Sequence, residues 1–291
     1  MTASKAMRRL LILFKVRSSL RYYLELTIAI PIDLFRSILN KINFGLSEAC
    51  RDILRKLCRF RLVLTSDGFW FVVPSYRELF IALIESHEPK SYTFIYKVLR
   101  SELNRGKSCT FVDVGAHIGT YALRVAKALG KGGIVVAVEP NSHTLLKLNA
   151  QINALNNIIT IPKAAYSEET KIKFYLSSEL GWASTKGSGF YVCVDTVTID
   201  AIVDTLSSED TALIIKVDVE GGELEVLIGG WKTLNVRRPV ILCEVQQHNV
   251  ERTRTLLQDV SYAMIRLEGL NYVLVPHERQ REVLEEIEVT V

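Results

Sequence analysis

Three carboxylates each close an apolar run in this chain, and each is followed by a turn. Asp113 ends TFVD and opens into VGAHIGTY, Glu139 ends IVVAVE and opens into Pro140-Asn141, and Asp218 ends ALIIKVD and opens into VEGGELEVLIGG. Apolar runs of this length that stop at a polar residue predict buried strands, and open α/β sheets place ligands beyond such strand ends. Asp113, Gly115 and Gly119 form D-x-G-x-x-x-G, whereas a dinucleotide fold uses G-x-G-x-x-G to seat a pyrophosphate on a helix N-terminus. A carboxylate at Asp113 would repel a pyrophosphate. S-adenosylmethionine has no phosphate and carries a sulfonium and an α-ammonium, so the pattern favours it over NAD. The candidate cofactor contacts are Asp113, Gly115, Ala116, His117, Gly119 and Tyr121 in the first turn, with Glu139 and Asn141 after the second strand. Glu139 lies 26 residues after Asp113, near the offset of a ribose-binding acid. Asn141 also suits a helix N-cap.

The third turn carries the candidate chemistry. If the cofactor's methyl group went to a hydroxyl, that poor nucleophile would need a base to take its proton. Asp218, Glu220, Glu223 and His248 are the candidates. Alternation puts Asp218 and Glu220 on one side if the strand runs on through them. Glu223 also suits the first turn of a helix, where it complements the dipole. Lys216 reads as a salt-bridge partner of the nearby acids. Clustered acids also bind hard cations, but exposed acidic loops are for the most part solvated, so no metal is expected.

Elements that position these residues follow from periodicity. RLVLTSDGFWFVVP predicts a hairpin over 61–74, turning at Asp67-Gly68. Helices are predicted over 78–85 and 91–103. Strands at 110–113, 134–138 and 158–161 alternate with helices at 119–129, ended by Gly130, and 142–153. An antiparallel excursion covers 165–197, with a small-residue loop at 183–189 beside Trp182 bordering the substrate side. Helices at 198–206, up to 228 and at 251–259 flank strands at 212–217 and 240–245. A hairpin over 262–267 and 272–275 closes the chain.

FVDVGAHIGTY, AVEPN, TVTIDAIV and KVDVEGGELEVLIGG together resemble the FkbM family of S-adenosylmethionine-dependent methyltransferases, from about Leu62 to about Pro276. His117 stands where the family usually has asparagine. Val245-Gln246-Gln247-His248 stands where it tends to read E-I-H. The resemblance implies an α/β, Rossmann-like class I fold, with five parallel strands and a terminal antiparallel hairpin making a seven-stranded, mostly parallel sheet. It also implies methylation of a sugar, glycan or other hydroxyl-bearing small molecule.

Composition bounds the rest. The chain has 291 residues, 48% hydrophobic and 23% charged, which is ordinary globular usage. Residues 1–60 are expected to form a basic helical extension ahead of a methyltransferase domain over 61–291, whose lead-in is 61–105 and whose core is 106–291. The net charge is +4, yet residues 1–61 carry +9 and the remainder −5. That asymmetry suggests an anionic partner, either a membrane surface or nucleic acid. An RNA methyltransferase and a non-catalytic nucleoside-binding scaffold are the rival functions. The five cysteines include no C-x-x-C pair, so a reducing compartment is expected, with Cys109 and Cys243 as core residues. The apolar runs at 10–14 and 26–35 are too short for a signal peptide or a bilayer span. A cytoplasmic protein, peripheral at the membrane at most, is therefore expected.

Overall fold

Branched apolar runs make the strands, and glycine or acid-rich turns separate them from amphipathic helices. The computed structural model describes residues 26–28, 61–73, 88–176, 183–184, 191–206 and 211–288. Strands β1 (Leu26–Ile28), β2 (Arg61–Leu64) and β3 (Trp70–Val73) precede helix α1 (Pro89–Asn104). The core then runs β4 (Cys109–Val114), α2 (Thr120–Leu129), β5 (Gly133–Val138), α3 (His143–Ile152) and β6 (Ile158–Ile161). The excursion holds β7 (Ala164–Ala165), β8 (Lys171–Leu176), β9 (Ala183–Ser184) and β10 (Tyr191–Val197). Then come α4 (Ile199–Asp204), β11 (Ala212–Val217), α5 (Glu223–Ile228), α6 (Trp231–Val236), β12 (Val240–Glu244) and α7 (Val250–Asp259). Strands β13 (Tyr262–Glu268) and β14 (Asn271–Pro276) and helix α8 (Gln280–Glu288) finish the chain.

The main sheet has seven strands in the order β13-β14-β12-β11-β4-β5-β6. Strands β4, β5, β6, β11 and β12 are mutually parallel, and β14 is antiparallel to both β12 and β13. This is the seven-stranded, mostly parallel α/β sheet that the resemblance implies. Alternation divides the side chains between two cores. Phe111, Ile214 and Leu242 pack with Phe94, Leu99, Val125 and Val283 of α1, α2 and α8. Val112, Ile215 and Ile241 pack with Ile202, Val226 and Leu257 of α4, α5 and α7. Cys109 and Cys243 are buried. A smaller sheet, β7-β10-β8-β9, forms the excursion.

Some expectations meet a different outcome. Leu26–Ile28, inside the segment read as helical, is a strand paired antiparallel to β2, with Thr27 opposite Val63. Its β-branched residues suit a sheet edge better than a helix. The rest of the basic extension, and its anionic contacts, lie outside the described residues. So do the helix at 78–85 and the loop after Ser184. The helix ending at Ile228 is followed by a second, α6, because Gly229 and Gly230 separate them. Among the described residues no helix is long and apolar enough to cross a membrane.

The lead-in hairpin docks on the core. Phe69, Phe71 and Val73 pack on Ile118, Leu123 and Ala150. The buried Asn149 side chain accepts from Val72 N at 2.8 Å and donates to Ile118 O at 3.0 Å. Arg124 of α2, 3% exposed, donates from Nε to Asp67 Oδ2 at 2.5 Å and lies 5.4 Å from the Phe69 ring centroid. Removing one partner of a buried pair strands the other charge. Asp67→Ala should therefore destabilise the protein by about 2–3 kcal/mol in urea unfolding, less than a fully buried pair would lose because water reaches Asp67. A change below about 0.5 kcal/mol would show that the pair is a solvated surface contact.

Candidate active site

Sheet register gathers the polar groups. Asp113 lies beside Lys216 across the β4–β11 pair. Asp218 follows Lys216 by two residues, so it faces the same side of the sheet. Glu244, two residues beyond the Lys216 partner Leu242, comes to the same edge. The Lys216 ammonium reaches Asp218 Oδ2 at 2.8 Å and lies 4.6 Å from the Tyr121 ring centroid. The Tyr121 hydroxyl donates to Glu88 at 2.7 Å. A file of carboxyls thus runs along the carboxyl end of the sheet around one buried ammonium.

Burial and charge set the protonation of this file. Burial would lower Lys216, but Asp218 and Asp113 outweigh it and hold its pKa above the ordinary value. Burial would raise Asp218, but the Lys216 charge and hydrogen bond hold it below the usual carboxylate range. Asp113 is 1% exposed, and among the described residues neither of its oxygens has a hydrogen-bond partner. Burial pushes it up to about 6 against the pull of Lys216. Glu244 is pushed up to about 8, by burial first and then by the negative charges of Asp218 and Glu220. It hydrogen-bonds to Asp218.

Two other acids hold loops in place. Glu139 accepts from His117 N at 3.0 Å through one oxygen, and from Asn141 N and Ser142 N at 2.8 and 2.9 Å through the other. It therefore joins the glycine turn to the entry of α3, whose N-cap is Ser142 and not Asn141. Glu223, fully buried, accepts from Gly221 N at 3.0 Å, Gln246 N at 3.3 Å and Asn249 Nδ2 at 2.9 Å. Its oxygens are turned into the protein and tie the β11 loop to the β12 loop.

In the glycine turn the missing side chains make room for the protein itself. A Cβ on Gly115 would lie 1.7 Å from the Asp218 carbonyl oxygen, and one on Gly119 would lie 2.4 Å from Leu123 Cδ1. Both residues have positive φ, +80° and +93°. Glycine is needed there so that the turn can seat against the β11 loop and α2. The turn amides are also engaged: Gly115 and Ala116 donate to Val138 O, and Gly119 to Ala116 O. His117 has φ 49°, and its Nδ1 is buried with no partner among the described residues.

The β11 loop differs as well. The strand ends at Val217, and Glu220 and Gly221 take φ of 51° and 95°. Strand alternation therefore does not extend to Glu220. His248 is exposed in the turn before α7, and its neighbour Asn249 is the residue that meets Glu223. Glu244, Glu88, Gln246 and Asn249 were not singled out from sequence. Glu244 ends the apolar run VILCE, the same signal that marks Asp113 and Glu139. Among the described residues no three His, Cys, Asp or Glu side chains converge as a metal site.

The family model for the methyltransferase FkbM domain matches residues 113–274. The chain belongs to the FkbM methyltransferase family. It is an S-adenosylmethionine-dependent methyltransferase. No curated protein matches it. Among solved structures, this FkbM chain is similar to M. jannaschii TYW2 in complex with AdoMet, at 16% identity and TM-score 0.41, covering 75% of this chain and 84% of that one. It is also similar to the Geobacter metallireducens precorrin-6y C5,15-methyltransferase, at 13% identity and TM-score 0.37, covering 62% and 85%. A third is the Synechocystis PCC 6803 magnesium protoporphyrin IX methyltransferase with bound SAM, at 12% identity and TM-score 0.37, covering 64% and 80%.

The residues of this FkbM chain fit the cofactor chemically. Asp113 offers two buried oxygens with no hydrogen-bond partner among the described residues, and the file around it has more carboxyls than cations, which suits a sulfonium and an ammonium. Glu139 has three of its roughly four lone-pair sites filled, leaving one for a ribose hydroxyl. The raised carboxyls also set the protein's own pH dependence. A carboxyl whose folded pKa is raised binds its proton more tightly in the folded state. It favours folding below the unfolded pKa, and that contribution is lost as pH rises through the folded pKa. For Asp113 and Glu244 the window runs from about 4 to about 8. Without cofactor, the protein should be less stable at pH 8.5 than at pH 5 by on the order of a few kcal/mol. Asp113→Asn and Glu244→Gln should each flatten that slope in urea unfolding, and equal slopes in wild type and both variants would contradict the assignment.

Proposed function

We propose that this methyltransferase acts on a hydroxyl of a sugar, glycan or other polyol. Glu220 carries the reading. It is a non-glycine residue held at φ 51° between the end of β11 and the start of α5, beside the carboxyl file. Such backbone strain costs on the order of 1–3 kcal/mol and gathers where surrounding structure holds a residue for a task. The Glu220 charge adds to the negative field that raises the Glu244 pKa. A carboxylate so placed accepts the acceptor's O–H and aims the oxygen's lone pair. When bound, S-adenosylmethionine supplies the electrophilic methyl group. Asp113 and Asp218 offer it negative charge, and Glu139 meets its ribose. The sugar class of acceptor rests on the family resemblance alone.

Labelled methyl transfer to a panel of monosaccharides, oligosaccharides, polyols and RNA tests the acceptor, with incorporation into a hydroxyl compound expected and incorporation into RNA alone contradicting it. Glu139→Ala should weaken S-adenosylmethionine at least about tenfold in calorimetry, since a charged acceptor is lost. Unchanged affinity would remove Glu139 from the cofactor site. On the acceptor so found, Glu220→Gln should keep cofactor affinity and lower kcat by roughly 10²–10⁴-fold. His248→Gln should stay near wild type. The opposite pattern, with the acid limb of the pH profile vanishing in His248→Gln, would move the role to His248.

A further inference from the structure

We propose that Glu244 is the proton-exchanging group of this edge: it holds a proton while the cofactor is absent and gives it to solvent when the cationic cofactor binds. The proposal rests on the methyltransferase reading and adds a linkage that reading does not contain.

The argument starts from charge. Glu88, Asp113, Asp218, Glu220 and Glu244 face this edge, and Lys216 is the ammonium among them. That ammonium is spent on Asp218, at 2.8 Å. Glu244 is half-buried at the end of β12, at the edge where the register also brings Lys216 and Asp218, and it feels the charges of Asp218, Glu220, Lys216 and Glu88. On its other side stands Asn271 of β14, its register partner, and Gln246 donates to its Oε1 at 3.3 Å. His117 faces Asp218 from the glycine turn. Asp218 is already ionised by Lys216, so a second negative charge beside it is unfavourable, and the pair shares one proton carried by Glu244. Burial first, and then this repulsion, push its pKa up to about 8.

A cation arriving at this edge reverses the balance, because opposite charge favours the ionised carboxyl. Proton and cofactor cation thus exchange, and the charge of the edge stays constant. In the transfer itself, the acceptor oxygen's lone pair forms the new O–C bond and the S–C pair returns to sulfur. The hydroxyl proton leaves to the Glu220 carboxylate that holds it, and once sulfur is neutral a proton returns to Glu244. The carboxyl is then protonated again, matching a product that no longer carries the sulfonium.

Calorimetry of S-adenosylmethionine and S-adenosylhomocysteine binding, at pH 7.5 in two buffers of different ionisation enthalpy, tests this without any acceptor. Both ligands carry the same α-ammonium, so their difference reports the sulfonium alone. A cation within about 4–6 Å lowers a carboxyl pKa by about 1–3 units, so S-adenosylmethionine should release about half a proton more than S-adenosylhomocysteine. In Glu244→Gln the difference should vanish. If that variant does not fold, the wild-type difference decides. Equal release by the two ligands, or an undiminished difference in Glu244→Gln, overturns the proposal and leaves the methyltransferase reading standing. Failure of S-adenosylmethionine to bind the wild-type protein at all overturns both.

Discussion

The carboxyl edge of the sheet depends on the burial of the Lys216 ammonium. It sits in an otherwise apolar strand, 3% exposed, where an unpaired charge would be untenable. Asp218 at 2.8 Å and the Tyr121 ring at 4.6 Å replace the water it has lost, and Asp113 adds its charge from the next strand. One cation cannot serve three carboxyls. Asp218 has the contact, and burial leaves Asp113 and Glu244 with raised affinity for protons. The site is thus short of positive charge, and its complement is a ligand that brings some. A different cofactor chemistry, such as a pyrophosphate, would meet the wrong sign.

The acids of this chain divide by what surrounds them rather than by their type. Glu139 and Glu223 each accept three N–H donors and fix loops to one another. Asp113, Asp218 and Glu244 have few donors and interact chiefly through charge. The loop-fixing pair sets the distance between the glycine turn, the β11 loop and the β12 loop. Within that frame the charged group can stay strained and partly desolvated.

Much of this was legible in the sequence, for identifiable reasons. Strands β4, β5, β11 and β12 are near-continuous apolar runs with hard stops, the pattern of strands buried on both faces. The Asp67-Gly68 turn marked its hairpin because few other sequences take that backbone. The direction of a side chain past a strand end was not legible, since one left-handed residue at Glu220 cancels the alternation. Nor was the reason for Gly115. A glycine announces that something comes close, and only the fold shows that it is the Asp218 carbonyl. Glu244 carries the same strand-end signal as Asp113, but its nearness to Asp218, 26 residues earlier in the chain, is a product of the fold.

Asn149 has a consequence for where this protein can be cut. Its one side chain holds the edge of β3 with its oxygen and the glycine turn with its nitrogen. The stretch recognised by family comparison, 113–274, contains Asn149 and Ile118 but neither Val72 nor Glu88. A fragment trimmed to that stretch would keep the fingerprint residues yet leave the Asn149 amide and the Tyr121 hydroxyl without the partners that orient them. The polar contacts that orient the glycine turn thus reach beyond the recognisable stretch, to β3 and the segment before α1.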